Sequence, residues 1–299
     1  MKKRRKAKSM IPGFGLSMGI TITMLSVLIL IPLASIFGYA FKQSPAEFFA
    51  CLGKRNVLRA LSTSLICSAI AALINCIFGL IIAWVLVRYE FPGKKLMDGI
   101  IELPFALPTA VAGITLSKLY STKGLIGGPL NALGEWLAAG AFGDWYTKVT
   151  GEVFEIKISY TKIGLVIALI FVGIPFVVRA IQPVLEKLDP QFEEAAFMLG
   201  SSPRRTFFRV ILPELTPALL SGFGLALARG IGEYGSVIYI SGNSEKNGTQ
   251  VVSYVIMQKL NSADYTGATT VAFVMLVISF LLLLIINMIG IHQAKRTKE

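Results

Sequence analysis

The chain has 299 residues, of which 54% are hydrophobic and 15% charged, with a mean hydropathy of +0.68. So apolar a composition excludes an ordinary soluble domain and reads as an all-α polytopic membrane protein, because a helix satisfies its own backbone in lipid and an open strand does not. A net charge of +12 would suit nucleic acid only if the cations formed one patch, and they instead gather at the ends of apolar stretches.

Six stretches reach the roughly 20 apolar residues that one crossing needs: 16–41, 60–87, 97–119, 163–185, 213–240 and 268–291. Ahead of the first lies a basic tail over 1–15, with the run Lys2-Lys3-Arg4-Arg5-Lys6-Ala7-Lys8. That run predicts a cytoplasmic N-terminus by the positive-inside rule. Gly38-Tyr39-Ala40 offers a small-x-small triplet, yet the apolar stretch is too long for a signal h-region, so an uncleaved span is expected. The second span carries Cys67 and Cys76, which with Cys51 make an odd set without metal-ligand spacing or a disulfide framework. Lys54, Arg55 and Arg59 precede it on what this topology makes the outer side, against the basic bias of the inner segments. Phe91-Pro92-Gly93 then turns the chain into a tight hairpin between charged flanks.

The third span places Pro104 and Pro108 four residues apart, and the fifth repeats the spacing with Pro213 and Pro217. Each proline lacks a backbone donor and crowds the preceding turn, so these helices are expected to bend or to be re-satisfied by neighbours. Between spans three and four, the 120–162 segment sets Leu130, Leu133, Trp136 and Leu137 at helical spacing, with Trp145 and Tyr146 beyond. This predicts an interfacial helix with an aromatic belt, a surface for an extracytoplasmic partner, or both.

The segment between spans four and five, about 187–212, is the most specific. Asp189-Pro190 reads as a helix start, Glu193 and Glu194 lie at the positive end of its dipole, and Ala195 and Ala196 leave room for an approaching surface. Gly200 suits a left-handed helix end, and Ser202-Pro203 opens a second short helix bearing Arg204, Arg205 and Arg209. The expectation is a compact helix-turn-helix with a small, flat, charged face. Glu193 and Glu194 have no sequence neighbour of opposite charge, so an arginine on a partner is the expected counter-charge.

Within the fifth span, Arg229 and Glu233 stand at i and i+4 among Gly230, Gly232 and Gly235. A charge at the bilayer centre costs about 2.5–3.5 kcal/mol on insertion scales, so the two are expected to face the interior or a water path. They read either as a neutralised packing pair or as a lining of the path, where Glu233 would repel an anion that Arg229 attracts. A weak passage or gate therefore fits better than a tight anion site. The sixth span ends at a short cytoplasmic tail, 292–299, whose His292 reads as a solvated flank. The sequence shows no phosphate-binding glycine loop, no catalytic constellation and no internal repeat, so the chain is expected to bind no cofactor and to draw energy from a partner.

Glu194, Ala195, Ala196, Gly200, Val210, Leu212 and Pro213 fit a seven-position pattern that arises by chance in on the order of 1 in 10⁵ chains of this length. The pattern resembles the EAA loop of membrane subunits of ATP-binding-cassette (ABC) importers. Leu103–Gly113, Ile174–Arg179, Gln182–Glu186, Leu212–Leu215 and Gly232–Gly235 are similar to the T-type membrane subunit of sulfate/thiosulfate importers, over roughly residues 60–290. Molybdate and tungstate permeases share weaker versions, and Tyr234 stands where that family leads one to expect Phe. The resemblance implies a type I importer permease of six transmembrane helices in the bacterial plasma membrane, with both termini cytoplasmic and the loop docked on an ATPase through Glu193, Glu194, Ala195, Ala196, Gly200, Val210, Leu212 and Pro213. Arg229, Glu233, Pro104 and Pro108 are the candidates for path or gate. The implied partners are a second, related permease subunit, two ATPase subunits using ATP and Mg, and an extracytoplasmic sulfate-binding protein. An ATPase-independent anion transporter is the competing class, but it would be expected to show inverted repeats.

Overall fold

The computed structural model describes residues 14–151, 154–189 and 191–296. The Lys2–Lys8 run, Pro190 and residues 297–299 lie outside the described residues. No strand occurs among those described. Five helices are long and apolar enough to cross a membrane: α1 (Phe14–Ala40), α3 (Arg55–Arg88), α8 (Lys162–Lys187), α10 (Pro203–Ile231) and α13 (Tyr265–Arg296). The sixth expected span is a broken pair, α4 (Lys94–Ala106) and α5 (Thr109–Leu119), whose axes meet at 112°. Shorter helices complete the chain: α2 (Pro45–Leu52), α6 (Gly127–Ala138), α7 (Ala141–Thr150), α9 (Gln191–Met198), α11 (Gly235–Ser241) and α12 (Val252–Asn261). The 120–162 segment thus holds two helices rather than the one expected, and its Trp136 and Trp145 are exposed.

The proline pairs behave differently in the two spans. Pro104 sits buried inside α4, while Pro108 stands at the N-cap of α5 and takes an extended backbone, ψ 130°. The residue before a proline is pushed out of the helical region, and Leu107 obliges at ψ 135°, so the helix breaks there. In the fifth span the prolines are absorbed. A π-helical turn, Phe207–Ile211, precedes Pro213, and the Leu212 amide reaches back to the Phe207 carbonyl. The widened turn relieves the crowding that Pro213 would impose on a regular one. The same device, Ser26–Leu30, precedes Pro32 in α1. The short second helix expected after Ser202 is consequently not separate: it runs through the π turn into the span.

The expected continuous span 213–240 also needs correction. Its helix ends at Ile231, and Gly232, Glu233 and Tyr234 form a break before α11. Hydrophobicity extends across the break, which is why the apolar run suggested one helix.

The core is the contact of α3, α8 and α10. Val177, Val178, Ile181, Leu185, Leu215 and Ala83 are fully or almost fully buried there. Lipid tails are as apolar as these side chains, so close packing rather than water exclusion holds the helices together. Small residues allow it: a Cβ on Gly79 or Gly222 would lie within 3 Å of Val177. By contrast α1 leaves its most apolar stretch entirely unburied, touching α13 through Phe37 and Phe41 on Phe273.

Candidate functional site

Two regions collect the sequence-predicted residues, and one helix joins them. The first is the 187–212 loop. The Gln191 amide donates to Asp189 Oδ1 at 3.0 Å, the capping expected of that aspartate. At the other end Gly200 adopts φ +76°; the Ser201 amide donates to Ala196 O and the Gly200 amide to Phe197 O. These two bonds make a Schellman stop, which requires the left-handed residue that glycine supplies. The Arg205 amide donates to Ser202 Oγ, capping the start of α10 as expected.

The face of the loop is not the flat charged one expected. Met198 and Leu199 are each 88% exposed, and Phe192 and Phe197 are at least half exposed. The tip is an apolar knob, rimmed by charge. The sequence signal for it is the apolar run Phe197-Met198-Leu199, which lies outside any span. Glu193 does not await a partner's arginine either: it forms an ion pair with Arg88 at the end of α3. The Arg88 guanidinium also lies over the Trp84 ring at 5.4 Å, and Trp84 meets Phe207 edge-on at 5.4 Å. Arg88 and Trp84 therefore fasten the loop to the bundle, and sequence reasoning missed both because Arg88 lies 105 residues from Glu193. Glu194 makes no ion pair with a described residue and remains exposed. Ala195 is exposed and Ala196 half-buried, while Val210 lies in the π turn and Leu212 and Pro213 begin the regular part of α10.

The second region is the break after α10. Arg229 occupies the last turn of the helix, where a cation meets the negative end of the dipole. Its Nη1 lies 2.5 Å from Glu233 Oε2. Glu233 is buried, its side chain 1% exposed, whereas that of Arg229 is 37% exposed. The other carboxylate oxygen, Oε1, accepts from the Ser236 amide at 2.9 Å and from Ser236 Oγ at 3.1 Å. Glu233 O accepts from Ser253 Oγ at 2.7 Å. Glu233 is thus not mid-helix, as the i, i+4 reading had it, but sits in the gap, where it neutralises Arg229 and caps α11. Both oxygens are committed, which leaves Arg229 as the part of the pair open to a passing group.

The broken third span packs against this gap. A Cβ on Gly113 would fall on the Ser236 carbonyl, and one on Gly235 would fall on the Thr109 hydroxyl. The two half-helices α5 and α11 therefore touch backbone to backbone. Tyr160 N donates to Ile240 O and Ser159 Oγ to Ser117 O, tying their far ends together. Pro108 and Glu233 thus belong to one assembly, while Pro104 lies a turn away beside the edge-on pair Phe105–Phe176, 5.0 Å apart.

A further polar cluster had no role assigned from sequence. Arg179 Nη1 donates to Asp98 Oδ1 at 2.9 Å and to Gln182 Oε1 at 2.7 Å, and Nη2 donates to Glu102 Oε1 at 2.6 Å. It clamps α4 to α8 beside a cleft of about 670 Å³ that reaches Lys94 and Glu90. Glu102, an acid within an expected span, thus finds its counter-charge. Among the described residues no group of three His, Cys, Asp or Glu side chains is placed to hold a metal ion.

Residues 75–299 match the family described as "Binding-protein-dependent transport system inner membrane component". The chain is similar to the sulfate transport system permease protein CysT of Escherichia coli (strain K12), 40% identical over 290 residues that cover 97% of each chain. It is also similar to the probable sulfate transport system permease protein cysT of Marchantia polymorpha, 45% identical over 85% of this chain and 81% of that one. Among solved structures, a bacterial alginate ABC transporter in complex with an alginate pentasaccharide-bound periplasmic protein matches with a TM-score of 0.70 at 15% identity, covering 95% of this chain and 94% of that chain. The inward-facing MetNI methionine ABC transporter matches with a TM-score of 0.53 at 15% identity, covering 84% of this chain and 99% of that chain. At such identities the two structures bear on the fold alone, which is that of an ABC importer's membrane subunit.

Proposed function

Because this chain belongs to the family of binding-protein-dependent transport system inner membrane components, we propose that it is the permease subunit of an ATP-driven importer carrying sulfate or thiosulfate into the cytoplasm. Relatives that match it over almost their whole length carry the name of sulfate permeases, which supports that substrate class. On this reading both termini and the 187–212 loop face the cytoplasm. Hydrolysis of ATP, with Mg, belongs to two copies of a separate ATPase. A second, related permease subunit completes the path, and a sulfate-binding protein delivers the anion from outside. The domain division is then a basic tail over 1–15, a permease body over 16–291 and a short tail over 292–299.

The observation that carries the mechanism is the apolar knob, capped at both ends, tied to α3 by the Arg88–Glu193 pair and continuous with α10. Movement of the knob acts on α10 through the π turn. At its far end α10 meets the Glu233 break, and α11 passes the displacement to α5 through the Gly113 and Gly235 contacts. This is a contiguous packed route from the ATPase side to the two broken helices. Arg229, half open beside a neutralised carboxylate, lets an anion pass without holding it. The test is uptake of labelled sulfate by vesicles containing this chain with its partner subunits, ATP inside and binding protein outside, with thiosulfate or molybdate in excess. Competition by thiosulfate and not molybdate is expected. Uptake that persists without the ATPase would overturn the reading.

A further inference from the structure

We propose that the bundle end remote from the 187–212 loop carries a receiving site for a doubly charged tetrahedral oxyanion, built by Arg59, Lys162 and Lys246. The proposal rests on the orientation and transport reading given above. Arg59 lies in the first turns of α3, Lys162 begins α8, and Lys246 stands in the loop between α11 and α12. All three line one cavity of about 300 Å³. Among the described residues none of the three forms an ion pair. Arg88, Arg179 and Arg229 elsewhere in the bundle each hold a carboxylate.

Arg59, Lys162 and Lys246 are themselves exposed, but the loop that walls the cavity is fixed in place. It is pinned, since Thr63 Oγ1, buried in α3, donates to Gly248 O at 3.2 Å. Within the loop the Thr249 amide donates to Ser244 O and the Ser244 amide to Thr249 Oγ1, each at 3.0 Å. A Cβ on Gly248 would lie 3.3 Å from Lys162 Cε, so the lysine stem rests against that loop. One carboxylate, Glu245, shares the lining and leaves the cavity with an excess of two positive charges. Like charges gathered in one concavity repel, and a bound counter-anion relieves the part that Glu245 and solvent leave. Ammonium and guanidinium donors make charge-assisted hydrogen bonds to oxyanions, and the excess matches a dianion rather than chloride. The cations also run against the basic bias of the inner side. Past the cavity's loop the chain enters α12, where the Val252 amide donates to Ser64 Oγ and Ser253 Oγ to Glu233 O, so the same segment that walls the cavity is tied to the Arg229–Glu233 break.

The test uses the complete importer in lipid vesicles and a cysteine at the rim, Ser62→Cys, which keeps all three cations. Labelling by a membrane-impermeant anionic thiol reagent is followed with inorganic sulfate or with chloride at equal ionic strength. Sulfate should slow labelling by about tenfold at roughly ten times the site's Kd, since protection follows 1 + [L]/Kd. That protection should vanish when Lys162→Gln and Lys246→Gln are added. Equal protection by chloride, or none by sulfate, overturns the proposal. So does protection that needs the empty binding protein and no sulfate, which would make the cavity a protein-docking surface. Asn247→Cys, on the same rim, serves if Ser62→Cys does not assemble. Sulfate uptake measured on the same vesicles separates the two ideas: uptake without protection refutes only the site, and loss of uptake by the unmodified complex refutes the transport reading.

Discussion

The Arg229–Glu233 pair invites a double-mutant cycle because its two members are so unequally buried. Arg229→Leu leaves a carboxylate 1% exposed, still bonded to Ser236 but with no counter-charge. Stranding one partner of a buried pair costs about 3–5 kcal/mol, and the two remaining hydrogen bonds place this case near 3. Glu233→Leu strands Arg229, whose side chain is 37% exposed and can hydrate, so the electrostatic cost is small. What is lost is the cap on α11, worth about 1 kcal/mol. The double change removes both charges and costs about the same as losing the cap. Arg229→Leu should therefore be the most damaging variant, and the second mutation should restore about 2 kcal/mol, a coupling of about 3 kcal/mol, at the upper end for residues in contact. Thermal unfolding in detergent, read by the fraction surviving size-exclusion chromatography, supplies the comparison. Sulfate uptake by the double variant then separates packing from passage: normal uptake excludes Arg229 from the path. Additive single effects, or an Arg229→Leu protein as stable as the parent, would refute the reasoning.

Three further outcomes follow from other contacts. Gly200→Val should insert normally yet lose association with the ATPase in pull-down, because φ +76° costs a side-chain-bearing residue about 1–2 kcal/mol although no atom lies within 4 Å of the new Cβ. Association at parental strength would disprove it. Arg88→Glu should loosen the loop and raise its protease sensitivity, and the swap Arg88→Glu with Glu193→Arg should recover much of the protection; no recovery means the pair does not fasten the loop. Gly113→Leu should abolish folded protein because its Cβ falls on the Ser236 carbonyl, whereas Gly99→Leu, in open space on α4, should be tolerated. Equal yields from the two would show that α5 and α11 do not meet so closely.

Much of the fold was legible because its determinants are local. Apolar length marked the spans, and Asp189, Gly200 and Ser202 announced their caps within a few residues. The proline spacing foretold a disturbance but not its form. Pro108 breaks a helix by 112° while Pro213 is accommodated by a π turn, and the outcome depends on whether the preceding residues can widen. The break at Gly232–Tyr234 was hidden, since an apolar run rich in glycine is compatible with a continuous span and with an interrupted one. The site was less legible than the fold. The i, i+4 spacing pairs Glu233 with Arg229, but its bonds to Ser236 depend on a gap that spacing does not reveal. Arg88 with Glu193, and Arg179 with Asp98 and Glu102, are pairings across 105, 81 and 77 residues, beyond the reach of any periodicity.

The wide turn at Phe207–Ile211 also fixes an angle. Successive helical residues are offset by about 100° around the axis, so one extra residue in a turn rotates everything before it by that amount relative to everything after. The knob of Met198 and Leu199 is therefore aimed by a residue count. Removing a single residue from 207–211 would close the wide turn, return the crowding that Pro213 imposes on a regular one, and leave the caps and the knob chemically intact. The knob would then point about a quarter turn away, and Glu193 would swing clear of Arg88. Such a protein would have every part of its machinery and no alignment between them.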